Sequence, residues 1–362
     1  MHNNKIITVQ NIPITISETD LDDYICITDI ASAKSGNSRA ADVVRNWLRN
    51  RTTIEFLSTW EEICNRFICK ERRTKFMELT DLHVHSTASD GTFTPSELVA
   101  EAKKVGLKAF ALTDHDTVAG IEEAVSAAKQ AGIELIPGIE ISTKYNSTYI
   151  KDKEIHIVGL YIDYTNEHFL TEIAGFRDNR DGRNEKLIEL MNEAGMPISL
   201  KAMRDMFGDG TVLTRAHFAR YMVNKGYVSG TNEAFDRYLG EGKPFYISRQ
   251  MPDPARAVEL IREAGGVAVL AHPILYHMSD SELLKLCQYL KRHGLTGIEG
   301  IYSTYRSGDE TTVRRIANEC GLLISGGSDF HGANKPDIRL GIGRGSLKIP
   351  YELAVNLKKA IK

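Results

Sequence analysis

The chain has 362 residues, of which 42% are hydrophobic and 26% are charged, as is typical of a soluble globular protein. Its formal net charge of −3 gives no overall attraction for a polyanion, so any contact with nucleic acid has to be local. The first ten residues lack the apolar core of a signal peptide, and no apolar run approaches the ~18 residues of a membrane helix. The five cysteines form no Cys-x-x-Cys pair, which agrees with a reducing compartment. We therefore expect a cytoplasmic protein without a membrane partner.

The rhythm of the sequence changes near residue 76 and predicts two parts. Residues 1–76 contain two β-like runs and a helical pattern with aromatic residues, and they end in the basic segment KERRTKF. They are predicted to form a small α+β module with a linker. Residues 77–362 are predicted to form an α/β domain, because short apolar strands alternate with amphipathic helices, as in parallel sheets covered on both faces. About seven such strands favour a closed or distorted barrel over an open sheet.

Several helix boundaries can be read from local signals. Thr94 is a predicted N-cap, followed by Pro95 and by Glu97 at the third position of a capping box. A second helix is expected from Val118 to Gln130, and further ones near residues 254–264, 280–293 and 308–319. Residues from about 165 to 250 break the alternation with charged helical segments. They predict a helical insertion between two barrel strands.

Histidines and carboxylates recur at the ends of the predicted strands or just after them. In DLHVHS, the imidazoles of His83 and His85 are two residues apart on a strand and therefore point to the same face. Strand ends of a parallel α/β barrel meet at one rim, so we expect the whole set to converge there. Nine candidates suggest two or three ions that share a carboxylate, and the mixture suits Zn, Mn or Fe rather than Ca. The candidate ligands are His83, His85, Asp90, His115, Glu140, His156, His272, Asp329 and His331.

The alternative for any single histidine at a strand end is a hydrogen-bonded core residue. Six of the eleven histidines fall at such ends, and most of these lie in His-x-His, Asp-His or Ala-His-Pro contexts. This recurrence favours ligands over core residues.

The same motifs resemble those of the PHP (polymerase and histidinol phosphatase) superfamily. The resemblance runs from DLHVHSTASDGTFTPSEL through TDHDT, PGIEIS, EIHIVGLY and GGVAVLAHP to GGSDFHG, over about residues 78–345. The insertion and Asp90 resemble the stand-alone branch, which includes nucleoside 3′,5′-bisphosphate phosphatases and 5′-end exoribonucleases. The resemblance implies a distorted seven-stranded (βα) barrel with a trinuclear metal centre. It also implies hydrolysis of phosphate monoesters of nucleotides or of short 5′-phosphorylated oligonucleotides.

The resemblance further assigns ligands to ions. It implies one ion at His83, His85, Glu140 and Asp329, a second at Asp90, His115 and His331, and a third at Glu140, His156 and His272. Glu140, Asp329 and His331 are expected to be catalytic. Mn²⁺ is the first choice of metal, with Zn²⁺, Fe²⁺ or Mg²⁺ as alternatives. Water held between such cations ionises near neutral pH and can attack phosphorus.

The substrate phosphate also needs positive charge from the protein. Arg215 and His217, in the segment TRAHFAR of the insertion, are the candidates, since arginine binds phosphate through two parallel hydrogen bonds. The alternative for both is a surface arginine and a histidine at a helix start. Asp114 and Asp116 flank His115 and either orient it or, in the case of Asp116, cap the following helix.

The amino-terminal residues resemble the first part of a KilA-N domain, a DNA-binding module, through YICITDIA (24–31) and VVRNWLRNRTTIEFLSTWEEI (43–63). Residues 1–76 contain 11 Lys and Arg against 10 Asp and Glu, a net charge of +1, which predicts at most weak DNA binding. Arg45, Arg49 and Arg51 form either a phosphate-facing patch or a solvated helix face. The segment is either a functional fusion or the remnant of one, with Met77 as an earlier start.

Two competing functions remain at this point. One is a histidinol-phosphate phosphatase of the same superfamily, which the insertion and Asp90 disfavour. The other is a DNA-binding regulator whose barrel is a structural partner. The complete set of nine candidate ligands argues against the regulator, because a structural barrel has no need of so many polar groups at one rim.

Overall fold

The computed structural model describes residues 78–148, 150–248 and 250–361, together with the backbone of an amino-terminal hairpin. The hairpin pairs β1 (Asn4–Val9) with β2 (Ile12–Ser17) in antiparallel register. The chain divides into two compact units, Met1–Phe76 and Met77–Lys362. The helical pattern expected around residues 43–63 lies outside the described residues.

The second unit contains a seven-stranded sheet whose strands lie in chain order, from β3 to β9. At one end of the sheet the amide of His85 donates to the carbonyl of Phe330 (3.0 Å), and the amide of Asp329 donates to the carbonyl of His83 (2.9 Å). These two bonds join the first strand to the end of the last one, which nearly closes the barrel. The strands are β3 (Thr80–Val84), β4 (Ala109–Leu112), β5 (Glu134–Tyr145), β6 (Lys153–Leu160), β7 (Val267–Leu270), β8 (Gly297–Tyr302) and β9 (Leu323–Gly327).

Ten α-helices accompany the strands in the described part of the chain. They are α1 (Pro95–Lys104), α2 (Ile121–Ala131), α3 (Glu167–Glu193), α4 (Leu200–Phe207), α5 (Arg215–Asn224), α6 (Thr231–Ala234), α7 (Pro254–Glu263), α8 (Asp280–His293), α9 (Ser307–Cys320) and α10 (Tyr351–Lys359). None of the helices in these described ranges is long and apolar enough to cross a membrane. The predicted barrel with a helical insertion is confirmed.

The prediction of an all-parallel sheet is wrong for one strand. β6 runs antiparallel to both β5 and β7, whereas the other neighbouring pairs are parallel. The cause is the connection between β5 and β6, which consists only of residues 146–152. Parallel neighbours need a crossover of about a dozen residues or more. A loop this short therefore forces an antiparallel pair. The reversal also brings the amino end of β6, which carries His156, to the rim where the other strands end.

The local helix signals operate as predicted, with one shift. At the start of α1 the hydroxyl of Thr94 accepts from the amide of Glu97 (3.2 Å), and the carboxylate of Glu97 accepts from the amide of Thr94 (2.8 Å). Helix α2 begins at Ile121 rather than at Val118. It ends where Gly132 adopts a left-handed conformation with φ 71°, which glycine tolerates without a steric penalty.

The insertion between β6 and β7 has a hydrophobic core of its own. Side chains from α3, α4, α5 and the following π-helical turn (Phe235–Leu239) bury one another, with Phe218 and Met222 at 0% exposure. Leu187 and Met191 of α3 complete this core, so the carboxyl half of that helix belongs to the insertion. The insertion is therefore a packed subdomain, which can hold side chains over the barrel rim at defined positions.

Candidate active site

Glu140, in the middle of β5, lies at the centre of the nine candidate ligands. Its Oε1 is 2.8 Å from Nδ1 of His156 and 3.0 Å from Nε2 of His272. Its Oε2 is 3.0 Å from Nδ1 of His115, and 3.3 Å from Nε2 of both His83 and His85. A single carboxylate, 1% exposed, therefore faces five imidazoles.

The other two carboxylates complete the cluster. Asp90 places Oδ1 3.1 Å from Nε2 of His331 and Oδ2 3.8 Å from Nε2 of His115. Asp329 places Oδ1 3.3 Å from Nδ1 of His331 and 3.4 Å from Nε2 of His85. All nine residues singled out in the sequence are thus within one cluster of contacts at the rim.

The ligand atoms group somewhat differently from the sets that the resemblance implies. His83, His85 and Asp329 form one group within 4.8 Å, and Asp90, His115 and His331 form another, which His85 joins. Glu140 is shared by two groups, one with His83 and His272 and one with His115 and His156. Glu140 thus lies between groups, as expected of a bridging ligand, while the partners of each group are mixed.

Buried donor atoms at the rim fit divalent cations. Nε2 of His83, both ring nitrogens of His85 and Nδ1 of His115 are buried without a hydrogen-bond partner among the described residues. The short distances given above for these atoms lack hydrogen-bond geometry, so the nitrogens and oxygens aim at shared points between them. A buried polar atom left unpaired costs about 1–3 kcal/mol. Imidazole and carboxylate donors suit Mn, Fe or Zn.

Burial and charge together set the ionisation of the cluster. Burial by itself raises the pKa of Glu140, but favourable interactions with the neighbouring imidazoles outweigh it and hold that pKa well below its ordinary value. Burial lowers the pKa of His115 to about 3. Burial also opposes the charged forms of His85 and His156, but interactions with neighbouring carboxylates outweigh it and raise their pKa values to about 9 and about 10. Metals bind ionised carboxylates and neutral imidazoles, so metal binding would release protons from these two histidines.

Three residues that the sequence did not predict contact the candidate ligands. Glu299 of β8 accepts a hydrogen bond from the backbone amide of His272 (2.7 Å) and contacts a ring nitrogen of His83. The phenol of Tyr302 and the ammonium of Lys335 both donate to Oδ2 of Asp329, which leaves Oδ1 for the histidines. The carboxylate inside the apolar strand GIEGIY is the sequence feature that could have identified Glu299. Lys335 lies in a loop, and no sequence feature marked it.

The two aspartates that flank His115 bind elsewhere. The carboxylate of Asp114 accepts from the amide and hydroxyl of Ser86 and from the hydroxyl of Ser89, all at 2.6–2.7 Å, and so shapes the loop that carries Asp90. Asp116 accepts from the amide of Ser142 and forms an ion pair with Arg180. The alternative in which Asp116 caps α2 is wrong, because Gly120 is the N-cap and no side chain caps that helix.

A cavity of about 170 Å³ adjoins the ligand cluster. The cavity is lined by Asp90, His115 and His156 of the ligand cluster and by three arginines of the insertion, Arg180, Arg183 and Arg215, which we call the arginine wall. The other lining residues are Ser142, Glu154, Thr214, Ala216, Phe235, Tyr246, Ile247 and Met251. The insertion therefore adds arginines to the cavity that the candidate metal ligands line.

The two predicted substrate-binding residues have different surroundings. Arg215 lines the cavity, where its Nη2 donates to Oε2 of Glu154 (2.8 Å) and its guanidinium lies 5.4 Å from the ring centroid of Tyr246. His217 is 2% exposed and accepts a hydrogen bond from the amide of Thr214 at Nδ1 (3.0 Å), as the third residue of a capping box. Burial lowers its pKa to about 4. Sequence spacing alone could not show that Arg215 lines the cavity whereas His217 is buried.

Comparison with known proteins identifies this arrangement. The family described as PHP domain matches residues 81–246. A 5′-3′ exoribonuclease of Haemophilus influenzae is 41% identical over 251 residues, which cover 69% of this chain and 89% of the relative. The chain belongs to the PHP family. It is therefore a metal-dependent phosphoesterase, a hydrolase of phosphate esters.

Further comparisons match this PHP protein to most of the length of related enzymes. A 3′,5′-nucleoside bisphosphate phosphatase of Chromobacterium violaceum is 34% identical over 251 residues, covering 69% of this chain and 86% of that protein. A solved structure described as a metal-dependent phosphoesterase from Bifidobacterium adolescentis is similar with a TM-score of 0.69 and 29% identity. The similar region covers 78% of this chain and 96% of the chain in that structure.

A KilA-N domain pattern matches residues 7–113. The match is longer than the resemblance seen in the sequence, which ended near residue 65. It overlaps the PHP match, and in the structure its last part, residues 78–113, forms β3, α1 and β4 of the barrel. Those residues therefore belong structurally to the PHP domain.

Proposed function

We propose that this PHP phosphoesterase hydrolyses phosphate esters of nucleotides that carry a second phosphate. The substrates would be nucleoside 3′,5′-bisphosphates or short 5′-phosphorylated oligonucleotides, whose next phosphodiester takes the place of the 3′-phosphate. The observation that carries the proposal is one cavity that both candidate metal ligands and three arginines line. A monoester without a second anion would leave that arginine wall unused.

Glu140 and the eight other candidate ligands are proposed to hold two or three divalent ions, with Mn²⁺ as the first choice and Zn²⁺, Fe²⁺ or Mg²⁺ as alternatives. When bound, such ions lower the pKa of coordinated water and neutralise charge on the phosphoryl oxygens. Glu140, Asp329 and His331 are the proposed catalytic residues, since each contacts more than one member of the cluster.

The protein's own cations would bind the second phosphate. Arg215 donates through Nη2 to Glu154, so the other donors of its planar fork can reach a phosphate oxygen. Arg180 is fixed by its ion pair with Asp116 and by a hydrogen bond to Ser142 (3.2 Å), which gives it a defined position in the wall. The neighbouring aromatic side chains Phe235 and Tyr246 offer apolar surface for a sugar and base. His217 would support this wall from behind through Thr214.

Residues 1–76 are proposed to be a separate KilA-N-like module that is not needed for catalysis. Weak binding to duplex DNA is its proposed activity. Its net charge of about +1, from 11 basic and 10 acidic residues, limits the number of phosphates that it can neutralise.

Metal removal followed by a substrate panel tests the enzymatic proposal. We expect purified protein to contain divalent metal, to lose phosphatase activity on chelation, and to regain it with Mn²⁺. Phosphate release should be fastest, as kcat/KM, from adenosine 3′,5′-bisphosphate or short 5′-phosphorylated RNA, and slower from AMP. Full activity in the metal-free protein would refute the metal assignment. A preference for histidinol phosphate would refute the substrate assignment and favour the other branch of the superfamily.

A further inference from the structure

Glu299 is a buried carboxylate that lies outside both the nine candidate ligands and the cavity wall. It occupies the middle of β8, between Ile298 and Gly300, and is 2% exposed. Removing a carboxylate from water is costly unless its oxygens find strong donors. The contacts of Glu299 therefore indicate which interactions compensate for its burial.

Both oxygens of Glu299 contact candidate metal ligands. Oε1 lies 3.2 Å from Nδ1 of His83, and Oε2 accepts from the backbone amide of His272 at 2.7 Å. His83 lies in β3 and His272 follows the end of β7, at distant points of the chain. One side chain thus fixes ligands from two parts of the barrel relative to each other.

The contact with His83 gives the two ring nitrogens different partners. Nδ1 pairs with the carboxylate of Glu299, to which it can donate its proton. Nε2, which faces Oε2 of Glu140 at 3.3 Å and Oδ1 of Asp329 at 3.8 Å, is then the nitrogen that would bind a metal. Only a nitrogen without a proton can bind a metal.

The contact with His272 holds an unusual backbone conformation. His272 has φ 26°, outside the regions that non-glycine residues favour, and such strain persists only where surrounding contacts hold it. In this conformation Nε2 of His272 lies 3.0 Å from Oε1 of Glu140. The hydrogen bond from its amide to Glu299 is one of the contacts that hold it.

Strand β9 leaves room for this arrangement through a glycine. A Cβ atom on Gly327 would lie 2.1 Å from Cβ of His83 and 2.8 Å from Oε1 of Glu299. Only a residue without a side chain fits where the carboxylate and the imidazole meet. The three strands β3, β8 and β9 are therefore shaped around the pair of Glu299 and His83.

We infer that Glu299 is a positioning residue for the metal centre, which sets the tautomer of His83 and the backbone of His272. The inference rests on the proposed metal-binding role of those histidines. Carboxylates that orient metal-ligating histidines typically contribute about 10- to 100-fold to metal affinity. Glu299→Gln keeps the shape of the side chain but cannot accept both hydrogen bonds at once, because one of its two terminal atoms is a donor.

The test measures Mn²⁺ affinity of the full chain by calorimetric titration of the metal-free protein. Glu299→Gln should bind Mn²⁺ about 10- to 100-fold more weakly than wild type. Glu259→Gln is the matched control, since Glu259 contacts Nδ1 of His293 at 2.8 Å and neither residue belongs to the ligand groups or the cavity, and the affinity of this variant should be unchanged. His83→Ala, which removes a proposed ligand outright, should lose more affinity than either.

The outcomes separate the inference from the metal assignment. If His83→Ala binds Mn²⁺ as wild type does, the metal assignment fails. If His83→Ala is weakened and Glu299→Gln is not, only the role of Glu299 is refuted. Nitrogen-15 spectra of the Zn²⁺-loaded protein supply a readout that a purely structural role would not change: the signal of the protonated Nδ1 of His83 should shift in Glu299→Gln. Should that variant not fold, Glu299→Asp, which keeps the charge but is too short to span both partners, replaces it with the same expected loss of affinity.

Discussion

At the scale of single residues, the site depends on a few side chains that each serve several partners. Glu140 contacts five histidines, and Asp329 contacts three histidines, a tyrosine and a lysine. Substitution of such a residue disturbs several ligands together. The largest losses of activity should therefore come from these carboxylates rather than from any single histidine.

Glu140→Gln is expected to lower kcat at least about 100-fold, because it removes a charge that two of the ligand groups share, and a factor of ten corresponds to only about 1.4 kcal/mol. Metal content should fall with it. Glu134→Gln is the matched control at the start of the same strand, where the carboxylate contacts Tyr351, and should leave kcat unchanged. Phosphate release and metal analysis check both variants. An active Glu140→Gln enzyme with a full complement of metal would contradict the central role of this residue.

Arg215→Ala is expected to raise KM for adenosine 3′,5′-bisphosphate about 10- to 100-fold, the value of one charge-assisted contact. For p-nitrophenyl phosphate, which has no second phosphate, KM should change little, since the lost interaction is uniform binding. Arg220→Ala, on the same helix but stacked on Phe207, is the control. Equal effects on both substrates would instead place Arg215 on the reacting phosphate.

At the scale of elements, the insertion is joined to the rim by a buried ion pair. Arg180 of α3 reaches Asp116, in the loop that follows β4, and Ser142 of β5. Both charged groups are at most 5% exposed. The contact fixes α3, and with it the arginine wall, over the ligand cluster. The insertion thus contributes to the site through its attachment as well as through its side chains.

Removing one partner of this pair should destabilise the protein. Arg180→Met leaves the Asp116 carboxylate buried without its cation, which typically costs about 3–5 kcal/mol. The double variant Arg180→Met, Asp116→Asn removes both charges and should be more stable than Arg180→Met alone. Urea unfolding of the wild type, both single variants and the double variant measures the coupling. Additive effects would show that the pair does not anchor the insertion.

At the scale of the whole molecule, the chain consists of two units that meet between Phe76 and Met77. Every candidate ligand and every residue of the cavity wall lies in the second unit. Its barrel begins at Thr80 with β3 and ends with α10, whose residues Ala354 and Leu357 are fully buried. The second unit therefore contains the whole of the candidate site.

A chain that begins at Met77 is expected to fold, bind metal and keep kcat within about twofold of the full chain, since the candidate ligands and cavity-lining residues found in the described part of the chain all follow residue 77. Circular dichroism, metal analysis and phosphate release check this. The full chain and the shortened one should differ only slightly in affinity for duplex DNA at low salt, given the small charge of residues 1–76. Loss of folding or turnover on truncation would show that the division into two modules is wrong.

Local features of this protein were determined by the sequence itself. The capping box of Thr94 and Glu97 depends on residues three apart, and it forms as the spacing predicts. The residue types at the strand ends likewise predicted a metal centre, because the strand ends of a barrel share one rim whatever lies between them in the sequence. Such features need only short-range geometry and one rule of topology.

Tertiary structure alone decided the features that join distant parts of the chain. His156 reaches the rim because a short loop reverses β6, and Glu299 meets His83 across 216 residues of sequence because β8 and β3 flank β9. Arg215 faces the cavity while His217, two residues later, is buried as a cap. Each outcome depends on which faces of packed elements meet, and that is settled by the burial of the whole core rather than by any local pattern.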